Sequence, residues 1–185
     1  REKNLRENVR SGIPFLKMYN RVIFSIYGYF KIFREVKCRM KITICSRLQI
    51  EKLIREGFPD KTAVISFYDP ETSRFIAEDY RPVDYKEKTD RLFRIPLYDI
   101  DLSVLPEYGL TYETYFPEAD ALAEFIHSAK TDGYDIICQC EYGESRSSGC
   151  AAAILEYFYK NGISVFADYR YYPNQVVYHK VLEAL

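Results

Sequence analysis

A strand that ends in two cysteines and passes within a few residues into an alanine-rich helix is the feature that most restricts how this chain can fold. Residues 134–140 read YDIICQC, and residues 147–160 read SSGCAAAILEYFYK. The apolar pair Ile136 and Ile137 marks this as the most buried strand of the chain, and the helix after it is expected to close at Asn161-Gly162. The same alternation recurs. KITIC (41–45) reads as a short strand, and Ser46 with Gln49 opens a helix to about Glu56 as a capping box. TAVISFYD (62–69) and RLFRIPLYD (91–99) read as strands, with residues 70–90 mostly loop between them. FPEADALAEFIHSAK (116–130) reads as a helix with Ala121, Phe125 and Ile126 on one side. A short helix is expected over 164–169, and the last helix begins near Pro173 and runs to the end. Strands alternating with helices predict an α/β fold, a mostly parallel central sheet flanked by helices.

Charge divides the chain. Residues 1–39 hold ten Lys/Arg against three acids, a balance of +7, and the remainder holds 16 against 24, a balance of -8. Such asymmetry marks an add-on. Residues 1–39 are expected to form a basic N-terminal extension, and residues 40–185, which open at Met40, the working domain. The chain starts at Arg1, not Met, in keeping with that division. Three readings of the extension stand: upstream sequence outside the working domain, a helix packed on it, or a basic amphipathic arm for anionic membrane surfaces. Ile23, Ile26, Tyr27, Phe30 and Phe33 fall on one helical face, which Phe24 and Tyr29 blur. The longest apolar tract, residues 22–30, is too short to span a bilayer, so membrane contact would come only through residues 1–39. The overall charge of -1 argues against a nucleic-acid partner.

Five cysteines, Cys38, Cys45, Cys138, Cys140 and Cys150, stand beside only two histidines, His127 and His179. No spacing among them suggests zinc, and the odd number suits free thiols in a reducing, cytoplasmic setting. Cys45 and Cys150 read as packing residues, and so does Cys138, because a disulfide to a cysteine two residues away on a strand is strained. Neither histidine is assigned a catalytic role.

The loop that joins strand to helix has its own chemistry. It begins at Cys140, at the carboxyl end of a central strand, where open α/β sheets bind ligands. Glu141, Tyr142, Gly143, Glu144 and Ser145 follow, and Arg146 and Ser147 start the helix. A helix N-terminus offers unpaired N–H groups and a positive dipole end, which suit an anion and stabilise a thiolate. Arg146 adds a planar fork matched to two phosphate oxygens. Gly143 lets the loop curl so that successive N–H groups point inward. Ser147 can hydrogen-bond the sulfur. The loop therefore reads as a phosphate cradle with a nucleophile at its floor.

CEYGESRS (140–147) resembles the signature loop of cysteine-dependent protein tyrosine phosphatases, nearest to the small dual-specificity type. The resemblance covers about residues 41–185. RIPLYD (94–99) is similar to the segment that carries that family's general-acid Asp, which points to Asp99, with Asp101 as the alternative. YYPNQVVYHKVL (171–182) is similar to the opening of the family's last helix, whose Asn, here Asn174, helps brace the signature loop. The resemblance implies hydrolysis of phosphomonoesters, on phosphorylated proteins or small molecules, through a phosphocysteine and without metal or cofactor. It departs from the family at Gln139, where His usually precedes the nucleophile and helps order the loop. Gln cannot carry that charge, and a less activated thiol is expected. Glu141 and Glu144 put two carboxylates at the rim, which disfavours highly charged substrates such as phosphoinositides.

Two other classes compete. A non-catalytic phosphotyrosine-binding module of the same fold would keep Arg146 and the N–H cradle but would not need Cys140. A sulfur-transfer or arsenate-reducing enzyme would also use a thiol loop. Rhodanese-like enzymes generally lack this Gly and Arg-Ser arrangement, and the reductases related to low-molecular-weight phosphatases place the loop near the N-terminus.

Overall fold

Four short strands carry their apolar residues into one sheet covered on both faces. The computed structural model describes residues 39–70 and 80–185. The order along the chain is β1 (Ile42–Cys45), α1 (Arg47–Glu56), β2 (Thr62–Tyr68), β3 (Leu92–Pro96), a 3-10 turn (Leu105–Tyr108), α2 (Tyr112–Tyr115), α3 (Ala119–Thr131), β4 (Asp135–Gln139), α4 (Arg146–Tyr159), α5 (Ile163–Phe166) and α6 (Gln175–Ala184). All of them belong to the compact unit Met40–Leu185. The sheet runs β1-β4-β2-β3, and every pairing is parallel. β4 therefore has a neighbour on each side: Ile137 is in register with Thr43 of β1 and with Val64 of β2.

This strand order decides which helix covers which face. The step from β1 to β2 passes over one strand position, and the step from β3 to β4 returns the other way. Right-handed crossovers then put α1 and α3 on opposite faces. On one face Ile50 and Ile54 of α1 pack with Cys45, Val64, Val83, Tyr85 and Ile137. On the other, Leu122 and Ile126 of α3, Ala151 and Ile154 of α4 and Val177 and Val181 of α6 pack with Ala63, Ile65, Phe67, Ile136 and Cys138. Strand residues alternate between the two faces because the side-chain period of a strand is two. Burying each large aliphatic side chain is worth about 1.5–3 kcal/mol. The Ser46 cap of α1, worth about 1 kcal/mol, is a smaller term, so burial rather than capping enforces register.

Several boundaries differ from the sequence reading. β3 stops at Pro96, although Leu97 N–H still donates to Tyr68 O at 3.0 Å. Thr111 and Thr114 form a second capping box that opens the separate turn α2. Phe116, buried edge-to-face against Phe67 at 6.1 Å, follows it, so α3 begins at Ala119 rather than at 116. With that phase the buried stripe of α3 is Ala119, Leu122, Ala123, Ile126 and Ala129, while Ala121 is exposed and Phe125 half-buried. α4 closes at Lys160, which takes the left-handed conformation at φ 53°, and not at Asn161-Gly162. Among the described residues no helix is long and apolar enough to cross a membrane. The aromatic face drawn over residues 23–33 and Cys38 lie outside the described residues.

Candidate active site

β1 leads into α1 on one face and β4 leads into α4 on the other, so a crevice opens between their carboxyl ends. Residues 140–145 fill it. Cys140 N–H donates to Cys45 O at 3.3 Å, and Arg47 N–H donates to Glu141 O at 3.0 Å. Gly143 has φ +74°, and a Cβ there would stand 2.6 Å from Ser46 N and 2.9 Å from Cys45 C. Conformation and space both demand glycine. The curl turns the Gly143 N–H inward, where it donates to Cys140 Sγ at 3.3 Å. Ser147 Oγ lies 3.1 Å from the same sulfur, at the positive end of α4. The thiol itself is 1% exposed, at the bottom of the loop.

Arg146 is buried beside it, at 2% exposure. Its Nη1 donates to Leu97 O at 2.7 Å and to Asp69 Oδ1 at 2.8 Å. Nε lies 3.5 Å from Asp99 Oδ2 and has no hydrogen-bond partner. Burial opposes the guanidinium charge, but the Asp69 and Asp99 carboxylates and Cys140 together raise its pKa. A buried charge without such partners costs several kcal/mol.

Asp99 reaches this group from the segment after β3. Its Oδ1 accepts from Ser145 Oγ at 2.6 Å and from Asn174 Nδ2 at 3.1 Å. Asn174 also caps α6, its Oδ1 accepting from Val177 N–H at 3.0 Å. The brace on the loop is made by the backbone: Asn174 N–H donates to Ser145 O at 3.2 Å and Tyr172 N–H to Glu144 O at 2.9 Å. Gly149 permits this approach, since a Cβ there would stand 2.6 Å from Asn174 O. Ser148 Oγ donates back to the carbonyls of Glu144 and Ser145. Asp101 is exposed. With Asp99, Ser145, Tyr169, Tyr172 and Asn174 it borders a cleft of about 800 Å³ that opens beside the loop.

Gln139, which stands where the family usually has a loop-ordering His, faces away from the sulfur. Strand alternation turns its side chain to the other face, where Oε1 accepts from Ser66 Oγ at 2.7 Å and Tyr85 OH at 3.0 Å. Burial pushes the Tyr85 hydroxyl up to about 12. The two rim carboxylates differ in their surroundings. Glu141 is half-buried and pairs with Arg47 at 3.5 Å, while Glu144 and Tyr142 are exposed. Cys45, Cys138 and Cys150 are buried free thiols. Hydrogen bonding to Cys150, and then burial, pushes Cys138 well up, as suits a packing residue. His127 packs edge-on against Tyr157 and Phe158, and His179 packs against Tyr178.

Asp69 is the site residue that the sequence reading did not single out; it appeared there only as the last letter of a strand. Its position was the available signal, because a carboxylate at the carboxyl end of an inner parallel strand stands where such sheets bind ligands.

The loop at the end of β4, residues 140–147, is the stretch whose sequence resembles the signature loop of the cysteine-dependent protein tyrosine phosphatases. Solved structures similar to this chain include human DUSP28, at 12% identity over 77% of this chain and 90% of that one, with a TM-score of 0.45. PTPMT1 is similar at 14% identity over 78% and 88%, with a TM-score of 0.43. A structure of PTPMT1 in complex with PI(5)P is similar at 15% identity over 78% and 89%, with a TM-score of 0.39. No protein-family model and no curated protein matches the chain.

Proposed function

We propose that the protein is a cysteine-dependent phosphatase that hydrolyses phosphomonoesters, on phosphotyrosine or dual-specificity protein substrates, through a phosphocysteine on Cys140. One observation carries this reading. The Cys140 sulfur lies between the Gly143 N–H at 3.3 Å and the Ser147 hydroxyl at 3.1 Å, with the buried Arg146 guanidinium beside it. A module that only bound phosphate would need the guanidinium and the N–H groups, but not a thiol held in this way.

The reaction runs in two steps. The Cys140 thiolate attacks phosphorus, the S–P bond forms, and the bond to the leaving oxygen breaks. Asp99 gives its proton to that oxygen. Water then attacks the phosphocysteine, Asp99 takes a proton from it, and the S–P bond breaks to release phosphate and the thiolate. Arg146, the loop N–H groups and the end of α4 supply the positive charge that stabilises the equatorial oxygens. Ser147 donates to the departing sulfur. Residues 40–185 carry the whole cycle, and residues 1–39 are dispensable for it.

The test is turnover of a small aryl phosphate. Wild type should release phosphate, and Cys140→Ser should not, while still binding orthovanadate. Full activity in Cys140→Ser would sink the covalent mechanism. A chain beginning at Met40 should retain close to the full rate.

A further inference from the structure

We infer that the substrate is a basic phosphopeptide: the cleft beside the phosphate loop takes a lysine or arginine that flanks the phosphorylated residue, with Asp101 and Asp168 as its counter-charges and the rings of Tyr169 and Tyr172 as its walls. This rests on the reaction proposed above and names the class of protein substrate for it.

The cleft and the proposed catalytic centre share a wall. Asp99, Ser145 and Asn174 border the cleft, and Asp99 Oδ2 stands 3.5 Å from Arg146 Nε. Arg146 is 2% exposed, and its Nε makes no hydrogen bond. A buried N–H of this kind is left for an acceptor that arrives with a ligand. A phosphate oxygen is such an acceptor, so the phosphorylated residue ends where the cleft begins. The peptide that carries it then passes over the cleft, whose volume of about 800 Å³ is ample for a long side chain.

Charge sets what the cleft accepts. Asp99, Asp101 and Asp168 border it, and no lysine or arginine does. Asp101 is exposed and forms no ion pair among the described residues. On the loop side Glu144 is exposed too, and its carbonyl accepts from Tyr172 N–H at 2.9 Å. An acidic segment is repelled from such a surface, and a basic one is drawn to it.

The aromatic side chains point to the same occupant. Tyr169 is 90% exposed and Tyr172 73%. Large rings left in water beside a cleft do little for the fold and are available to a partner. A tyrosine face attracts a lysine or arginine cation. The chain already uses this pattern once, since Arg170 lies over the Tyr171 ring at 5.3 Å and pairs with Asp168 at 2.9 Å. Tyr169, Tyr172 and Asp101 offer the same combination to a cation from outside.

Two phosphotyrosine peptides of equal length test this on the full chain, one with lysines flanking the phosphotyrosine and one with glutamates in their place. Wild type should favour the lysine peptide in kcat/KM by about tenfold. The preference should fade as salt rises to about 1 M, which a merely structural role would not produce. Asp101→Lys should abolish or invert the ratio, and Tyr169→Ala should lower it by about threefold. Because the ratio is taken within one variant, a loss of turnover common to both peptides cancels. A wild-type ratio at or below one, or a ratio unmoved by both substitutions, would overturn the inference. If wild type hydrolyses neither peptide, the proposed reaction fails, and the cleft is judged separately by fluorescence anisotropy of the labelled peptides. The lysine peptide should then bind about tenfold more tightly than the glutamate peptide, and less so in Asp101→Lys. Equal or absent binding would overturn the role of the cleft.

Discussion

Asn174 holds Asp99 with one end of its amide and α6 with the other: Nδ2 donates to Asp99 Oδ1 at 3.1 Å, and Oδ1 accepts from Val177 N–H at 3.0 Å. One side chain thus couples the start of the last helix to the proposed acid. A helix cap and a catalytic brace are the same group here, and substitutions can separate them.

Asn174→Asp keeps a cap acceptor but exchanges the amide donor for a second carboxylate beside Asp99. The like charges repel, so the contact with Asp99 should open and kcat/KM should fall by about tenfold. Asn174→Ala should lose the cap as well, at about 1 kcal/mol, read from the urea midpoint. An unchanged kcat/KM in Asn174→Asp would show that this contact does not position the acid.

Ser147→Ala removes the hydroxyl 3.1 Å from the Cys140 sulfur. The sulfur is the leaving group of the second step, and one hydrogen bond of about 1.4 kcal/mol corresponds to about tenfold in rate. Hydrolysis of the phosphocysteine should slow by about that factor, so the intermediate should accumulate. Rapid-mixing experiments should show a burst of alcohol followed by a slower steady state. Equal slowing of both steps would place the hydroxyl's effect elsewhere.

Gly143→Ala should disable the loop. The residue sits at φ +74°, and the added Cβ would meet Ser46 N at 2.6 Å, which is backbone and cannot swing away. The conformation alone costs about 1–3 kcal/mol, and relief of the clash has to open the loop away from β1. Turnover should fall by at least about 100-fold, with a lowered melting temperature. A variant with normal activity would mean that the loop tolerates displacement from Cys45 and Ser46.

Tyr85 should contribute a loss of stability in alkali. Burial raises its pKa from 10.0 to about 12, so the fold favours the protonated phenol. That contribution is fully present below pH 10 and is lost as pH rises from there through about 12. Tyr85→Phe should cost about 1 kcal/mol near neutrality, through the lost hydrogen bond to Gln139. It should also flatten the fall of the urea midpoint across the alkaline window. An equally steep fall in Tyr85→Phe would assign the alkaline sensitivity to other groups.

Much of the architecture was legible because its signals are local. The Ser46–Gln49 box, the run of β4, and the spacing of Cys140, Gly143, Arg146 and Ser147 all lie within single strand, turn or helix-start units. The phase of α3 was misread because it depends on where the preceding turn ends. Phe116 under Phe67 decides that, across the molecule.

The sequence by itself determined an alternating α/β chain with a thiol and a guanidinium at the junction of β4 and α4, because strand and helix periodicity and loop composition are carried by neighbouring residues. Only the tertiary structure decided what surrounds that junction. Asp69 meets Arg146 across 77 residues, Ser66 meets Gln139 across 73, and Arg47 meets Glu141 across 94. No local pattern encodes such partners. They follow from a strand order that inserts β4 between β1 and β2, and from the alternation that sends Cys140 to one face of the sheet and Gln139 to the other.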